Sequence, residues 1–398
     1  MYLTNFRVRT YLLYTLVLFS VFGTPFLQSF GYQMGAFASS DFTKFHPLTY
    51  IVLIIIFIEF LLWQNITVRY LFSRPVYFVL IVFVGIIYFF LYLNNFATSI
   101  SFLIDTLCLP ILIACILSQY GEKVRAKSVK FIFWLLIFNC LFSVFERLVN
   151  HNFFPVNVGY GEQFRSTALL GHPLNNGLVC LTFYLYILSY YDISIFRIII
   201  QGLIILSLIC FGSRGCLYIA IISSIVFSLF KLFNSKILLP SKINEGKYLA
   251  FLGFMLMFLF YLIVNTSLGE RFMDVGFFDD SAEVRFSSWN LIDTNMLLSY
   301  LWPTSPLDIE ILMNLHGINI IENFIVVWIL KFGLLFSSIL IILLIYFMFT
   351  LRAPITAMRI STVLFFMAAN TNNSLSTSTT ALIVFTILFS STKSTSGV

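Results

Sequence analysis

The sequence predicts an all-α polytopic membrane protein, with about 12 transmembrane helices and both termini in the cytoplasm. Three observations predict it. Of 398 residues, 60% are hydrophobic and only 10% are charged, with a mean hydropathy of +0.97; soluble domains average about 25% charged residues. The apolar residues fall in runs close to the ~20-residue length that crosses a bilayer. The cations between those runs alternate in density from one connector to the next.

The runs lie near 11–31, 47–63, 76–93, 100–118, 129–149, 174–191, 198–211, 215–230, 248–266, 322–351, 354–370 and 377–391. Arg7 and Arg9 precede the first, and no convincing small-residue cleavage site follows it, so that span is expected to be retained. With the N-terminus inside, every Lys and Arg except Lys44, Arg147, Arg165, Arg214, Arg271, Arg285 and Lys331 falls in an inner segment. The inverted chain would put most of the cations outside, against the positive-inside rule. The whole of 1–398 then reads as one transmembrane domain with two sizeable outer loops, 150–173 and 267–321, the larger one before the tenth helix. Within 267–321, Trp302-Pro303-Thr304-Ser305-Pro306 reads as turns. The 322–351 run is longer than one bilayer, so its first turns are expected to project outside and to leave Lys331 near the outer interface.

The net charge of +6 is spread over connectors and forms no stripe, so topology explains it and nucleic acid is excluded as a partner. The six cysteines lie in or at the ends of apolar runs without a CxxC pair and read as buried thiols; only Cys210 and Cys216, flanking an outer turn, are placed for a disulfide. There is no HExxH, no paired Cys and no outer DxD, hence no metal site. No Walker or GxGxxG loop is present, so no nucleotide cofactor and no ATP-driven transport are expected.

Four stretches carry groups capable of chemistry. Arg165 to Asn176 packs Arg165, Gly171, His172, Pro173, Asn175 and Asn176 at a membrane surface. Irregular backbone at membrane depth is tolerated where it lines a polar cavity, and ionisable groups there default to function; the plain alternative is a connector. Arg214, in Gly212-Ser213-Arg214-Gly215, sits in an outer turn against the charge trend, with small neighbours that allow close backbone approach to a ligand; the alternative is snorkelling. Arg285 and Trp289 are four apart and share a helix face, where a guanidinium takes phosphate and an indole takes a sugar ring; a solvated cap helix is equally compatible. His316 and Glu322 precede the long run, and either is a candidate general base. Glu59 and Asp105 lie inside spans and are read as structural hydrogen-bond acceptors near span ends, with proton relay as the alternative.

In order, these stretches resemble the bacterial O-antigen polymerase and O-antigen ligase superfamily, of the Wzy type. The likeness covers roughly 160–340. It rests on the arginine with a Gly-x-Pro-x-Asn element (Arg165 to Asn176), the Ser213-Arg214-Gly215 turn, the outer-loop Arg285 with Trp289, and Glu322-Asn323 leading to a Gly333-Leu334 step. Ligases typically carry His-Asn where this chain has Glu322-Asn323, which tilts the likeness towards polymerase. The resemblance implies metal-independent glycosyl transfer at the periplasmic face of the inner membrane. Donor and acceptor would be glycans on undecaprenyl diphosphate in the membrane lipid, and a chain-length regulator protein is a further partner. Arg165, Arg214 and Arg285 would neutralise the diphosphate, His172, Asn175 and Trp289 would contact substrate, and Glu322 or His316 would accept a proton. The alternatives are transfer of the chain to lipid A core, and a flippase or ion-coupled transporter, which would show charged pairs at mid-membrane and internal repeats of helices.

Overall fold

The computed structural model describes residues 2–32, 45–62, 65–96, 100–154, 164–191, 194–233, 287–351 and 355–390, with isolated turns between 253 and 265. Among the described residues every regular element is helical. At the centre stands Pro173–Tyr190, in which every residue but Asn175 is buried. Pro173 opens it at the one position where a missing N–H costs nothing. A helix that is apolar on all sides has to be surrounded by protein or lipid. Here the neighbours are Arg214–Phe233, Ile355–Ala369 and Ala381–Phe389, the last buried at all nine residues. Glu122–Val149 packs on Ile195–Cys210, and Tyr2–Phe19 lies between Pro47–Leu61 and Glu122–Val149.

The outer helices turn apolar faces outward. Pro75–Leu93 exposes Phe78, Val82, Ile86 and Phe89, and Glu122–Val149 exposes Trp134, Phe138, Leu141 and Phe145. Apolar surface on this scale marks contact with lipid or protein. These two helices are long and apolar enough to cross a membrane, and a third span counts if Pro47–Leu61 and Ile66–Ser73, bent by 103°, are one.

Three predicted runs are not continuous helices. The first breaks at Gly23, between Tyr2–Phe19 and Thr24–Ser29, where Gly23 is extended and its N–H donates to Leu169 O; the loop lies so close that a Cβ there would be 1.9 Å from Leu170 O. The 322–351 run breaks at Gly333, whose φ of +85° no L side chain adopts readily. Its first part, Phe324–Phe332, is packed within the protein: Val326, Trp328 and Leu330 are fully buried and Lys331 is half-buried. The last run keeps helix only over Ala381–Phe389, roughly 13 Å of rise where a span needs about 20 residues. Ahead of it, residues 370–380 are irregular apart from a short 3-10 turn, Ser374–Ser376. Trp302 to Ser305 are non-helical as expected, and the Pro306–Leu315 helix starts at the second proline of the stretch.

Polar side chains gather at two ends. At one, Arg9 Nη2 donates to Glu59 Oε1 at 2.7 Å, Thr67 donates to both Glu59 oxygens, and Gln119 bonds Arg9 and Thr67. At the other lie Gly23, His46, Asp105 and the Arg165–Asn176 loop. Pro47–Leu61 joins them, with His46 before its first turn and Glu59 near its last, about 20 Å apart along the axis.

Candidate functional site

The Arg165–Asn176 loop is built around a carboxylate from another element. Glu146, in the last turn of Glu122–Val149, is fully buried. It accepts from Ser166 Oγ at 2.5 Å, Thr167 N at 3.0 Å, Ala168 N at 2.8 Å and Phe153 N at 3.1 Å. One helical turn pair earlier, Asn139 takes Leu169 N at 3.1 Å and donates to Asn176 Oδ1, while Asn176 donates to Thr167 O at 2.7 Å. A buried loop has to satisfy its backbone within the protein, and Glu146 and Asn139 together take the N–H groups of Thr167, Ala168 and Leu169. The clamp holds Ala168 at a φ of +37°, a conformation a non-glycine residue keeps only when its surroundings enforce it. Gly23 N donates to Leu169 O, and Gly171, at φ +68°, leaves no room for a Cβ against Pro25.

The far end of this loop lines a cavity of about 560 Å³, within the roughly 300–1,000 Å³ of small-molecule sites. One wall is Gly171, His172 and Asn175; the facing wall is Asn373 with Thr377 to Thr380; Thr24, Gln28, His46 and Asp105 close it. Asp105 accepts from Thr49 Oγ1 at 2.6 Å and from His46 N at 3.0 Å. It sits in a π turn, Leu103–Cys108, where Leu109 N bonds Ile104 O. Pro110 accounts for the widening, since its ring has no N–H for the carbonyl four residues back and crowds it. The same turn points Thr106 at the facing wall, where its Oγ1 donates to Thr377 O and accepts from Thr379 N.

Both histidines of the site are neutral at pH 7. His46 Nδ1 accepts from Leu48 N, so Nε2 carries the proton and donates to Phe22 O at 2.9 Å. Burial lowers His46 to about 4 against the smaller upward pull of Phe22 O. Burial likewise lowers His172 to about 4.

Of the residues singled out in the sequence, His172 and Asn175 line this cavity. Arg165 is half-buried and Arg214 buried, and their segments touch: Ser166 N donates to Cys210 O, and Gly177 packs on Ser213. Neither arginine belongs to the cavity lining. Beside Arg214, Gly215 packs directly on Thr371. Arg285 lies outside the described residues. Trp289 is exposed in a 3-10 turn, Ser288–Leu291, and His316 is exposed at the end of Pro306–Leu315. Glu322 is half-buried; beside it Asn323 caps Phe324–Phe332, and Phe324 N bonds Asn372 O. Glu59 and Asp105 are hydrogen-bonded as expected, but Asp105 also faces the cavity. The cysteines are all free, Cys210 and Cys216 included.

Sequence reasoning missed Glu146 and the 370–380 wall. A carboxylate inside the 129–149 run was the available signal for the first. The Asn370-to-Thr380 string of Asn, Ser and Thr was the signal for the second.

No protein-family model, no curated protein and no solved structure matches the chain.

Proposed function

We propose that the chain is a bacterial inner-membrane glycosyltransferase. In this reading it joins undecaprenyl-diphosphate-linked repeat units into O-antigen or a similar surface polysaccharide, at the periplasmic face. The observation that carries the reading is the Arg165–Asn176 element, an irregular, internally bonded segment whose His172 and Asn175 line a cavity together with Asp105. The ordered resemblance of its arginine motifs supports it further. About 12 spans with both termini cytoplasmic complete the proposal, some of them broken helices such as those at Gly23 and Gly333.

The chemistry follows from the groups. A sugar hydroxyl of the acceptor attacks the anomeric carbon of the donor, and the C–O bond to the lipid diphosphate breaks with its electron pair on the diphosphate. Arg165, Arg214 and Arg285 are the cations offered to that leaving group, and a guanidinium stays charged and grips two oxygens at once. The test is a lipopolysaccharide ladder from a deletion strain. A single repeat unit on the core supports polymerase, and none supports transfer to the core instead. Arg214→Ala, expressed in that strain, is expected to abolish long chains while remaining in the membrane; normal chain length would overturn the assignment.

A further inference from the structure

Among the described residues, the cavity is lined by Asp105, two neutral histidines and a run of amide and hydroxyl side chains, and no lysine or arginine is among them. Gln28, Asn175, Asn373 and Ser378 are the neutral amide and hydroxyl side chains of its lining, while Thr377 Oγ1 and Thr379 Oγ1 are engaged with Ser374 O and Ala381 N. Among the described lining residues a diphosphate finds no cationic partner and would meet a carboxylate. The N-termini of Pro47–Leu61, Pro173–Tyr190 and Ala381–Phe389 do abut the cavity. The first is already answered by Asp105, which takes His46 N, and prolines at the start of the first two remove donors an anion would use. Thr380 adds an independent pointer to a ligand: it is 6% exposed, lines the cavity, and its Oγ1 has no protein hydrogen-bond partner.

We propose that this cavity binds the uncharged sugar ring of the acceptor glycan and that Asp105 is the base that takes the proton from its attacking hydroxyl. The inference rests on the glycosyltransferase reading and deepens it. Each Asp105 oxygen accepts one bond from the protein, which leaves each a lone pair for substrate. In the step, the hydroxyl O–H proton passes to Asp105, the oxygen bonds the anomeric carbon, and the leaving diphosphate takes the electron pair of the broken bond. Neither Glu322 nor His316 is part of this lining.

The experiment uses the full chain in lipid nanodiscs. Ser378→Cys gives a reporter thiol at the half-buried cavity wall, and wild-type protein measures background labelling by a maleimide. One probe is the repeat-unit oligosaccharide freed from undecaprenyl diphosphate by mild acid; the other is inorganic diphosphate. The oligosaccharide is expected to protect the thiol and diphosphate to leave it reactive. Protection by diphosphate alone, or by neither, overturns the glycan site. Asp105→Asn, assayed on lipid-linked repeat units, is expected to lose roughly 100-fold or more in turnover, while Asp105→Asn with Ser378→Cys is still protected by the oligosaccharide. Turnover near the wild-type rate overturns Asp105 as the base and leaves the glycosyltransferase reading standing. If wild-type protein joins no repeat units, that reading falls, and the protection result alone upholds or overturns the glycan cavity.

Discussion

The two polar ends each hold a buried carboxylate, and the two carboxylates are treated differently. Glu59 is saturated: Arg9 and both donors of Thr67 reach it, Gln119 braces its partners, and it is not part of the cavity lining. Asp105 receives two neutral bonds and lines a cavity of about 560 Å³. A charge inside protein is costly unless compensated, and Glu59 is compensated by an opposite charge. Asp105 has two neutral donors and abutting helix N-termini. The contrast teaches that the first end is a clasp and the second a site. Glu146, with four donors, belongs with the clasps, although it holds the loop that forms a wall of the site.

The comparison can be broken at several points. The largest expected effect is at the clasp: Glu59→Gln leaves Arg9 a buried, unmatched cation, expected to cost about 3–5 kcal/mol. Thermal unfolding in nanodiscs checks it, and an unchanged Tm would show the clasp to be dispensable. Next comes Glu146→Gln. An amide offers one oxygen to donors that now share a carboxylate, so a loss of about 2–3 kcal/mol is expected. Proteolysis of the 164–172 segment should accelerate with it, since the loop loses its anchor. Gly171→Ala is expected to cost about 2 kcal/mol, from the φ of +68° and the contact with Pro25. Its readout is a lower Tm together with altered labelling at Ser378→Cys.

The smallest effect sharpens the electrostatics. His46 is neutral in the fold, with its pKa lowered to about 4 from 6.5. A base depressed in the folded state binds fewer protons than the unfolded chain below pH 6.5. Its contribution to stability is therefore present above that value and lost as pH falls from about 6.5 towards 4. Tm should drop across this window. His46→Asn, which keeps an acceptor for Leu48 N, should flatten the drop, and an equally steep drop in the variant would remove His46 as its source.

Much of this was legible in the chain and some was not. The apolar runs gave the all-helical architecture, because a side chain's hydropathy is a local property. The Gly171-His172-Pro173 irregularity marked the loop that lines the cavity, because glycine and proline act on their own backbone. The breaks at Gly23 and Gly333 were not legible. Each depends on a distant backbone segment, Leu170 for one and Leu301 to Pro303 for the other. Asp105 read as structural because its significance lies in Thr377 to Thr380, more than 270 positions away. Pro110 was the local hint, placing a π turn at the acid.

The most direct test of the contrast between clasp and site sets Asp105→Asn beside Glu59→Gln in one nanodisc preparation, with Tm and turnover per folded molecule measured together on lipid-linked repeat units. Asp105→Asn is expected to keep its Tm and lose roughly 100-fold or more in turnover. Glu59→Gln is expected to lose Tm and keep its turnover per folded molecule. The reverse pattern, or equal loss of both quantities in both variants, would contradict the assignment of one end to structure and the other to chemistry.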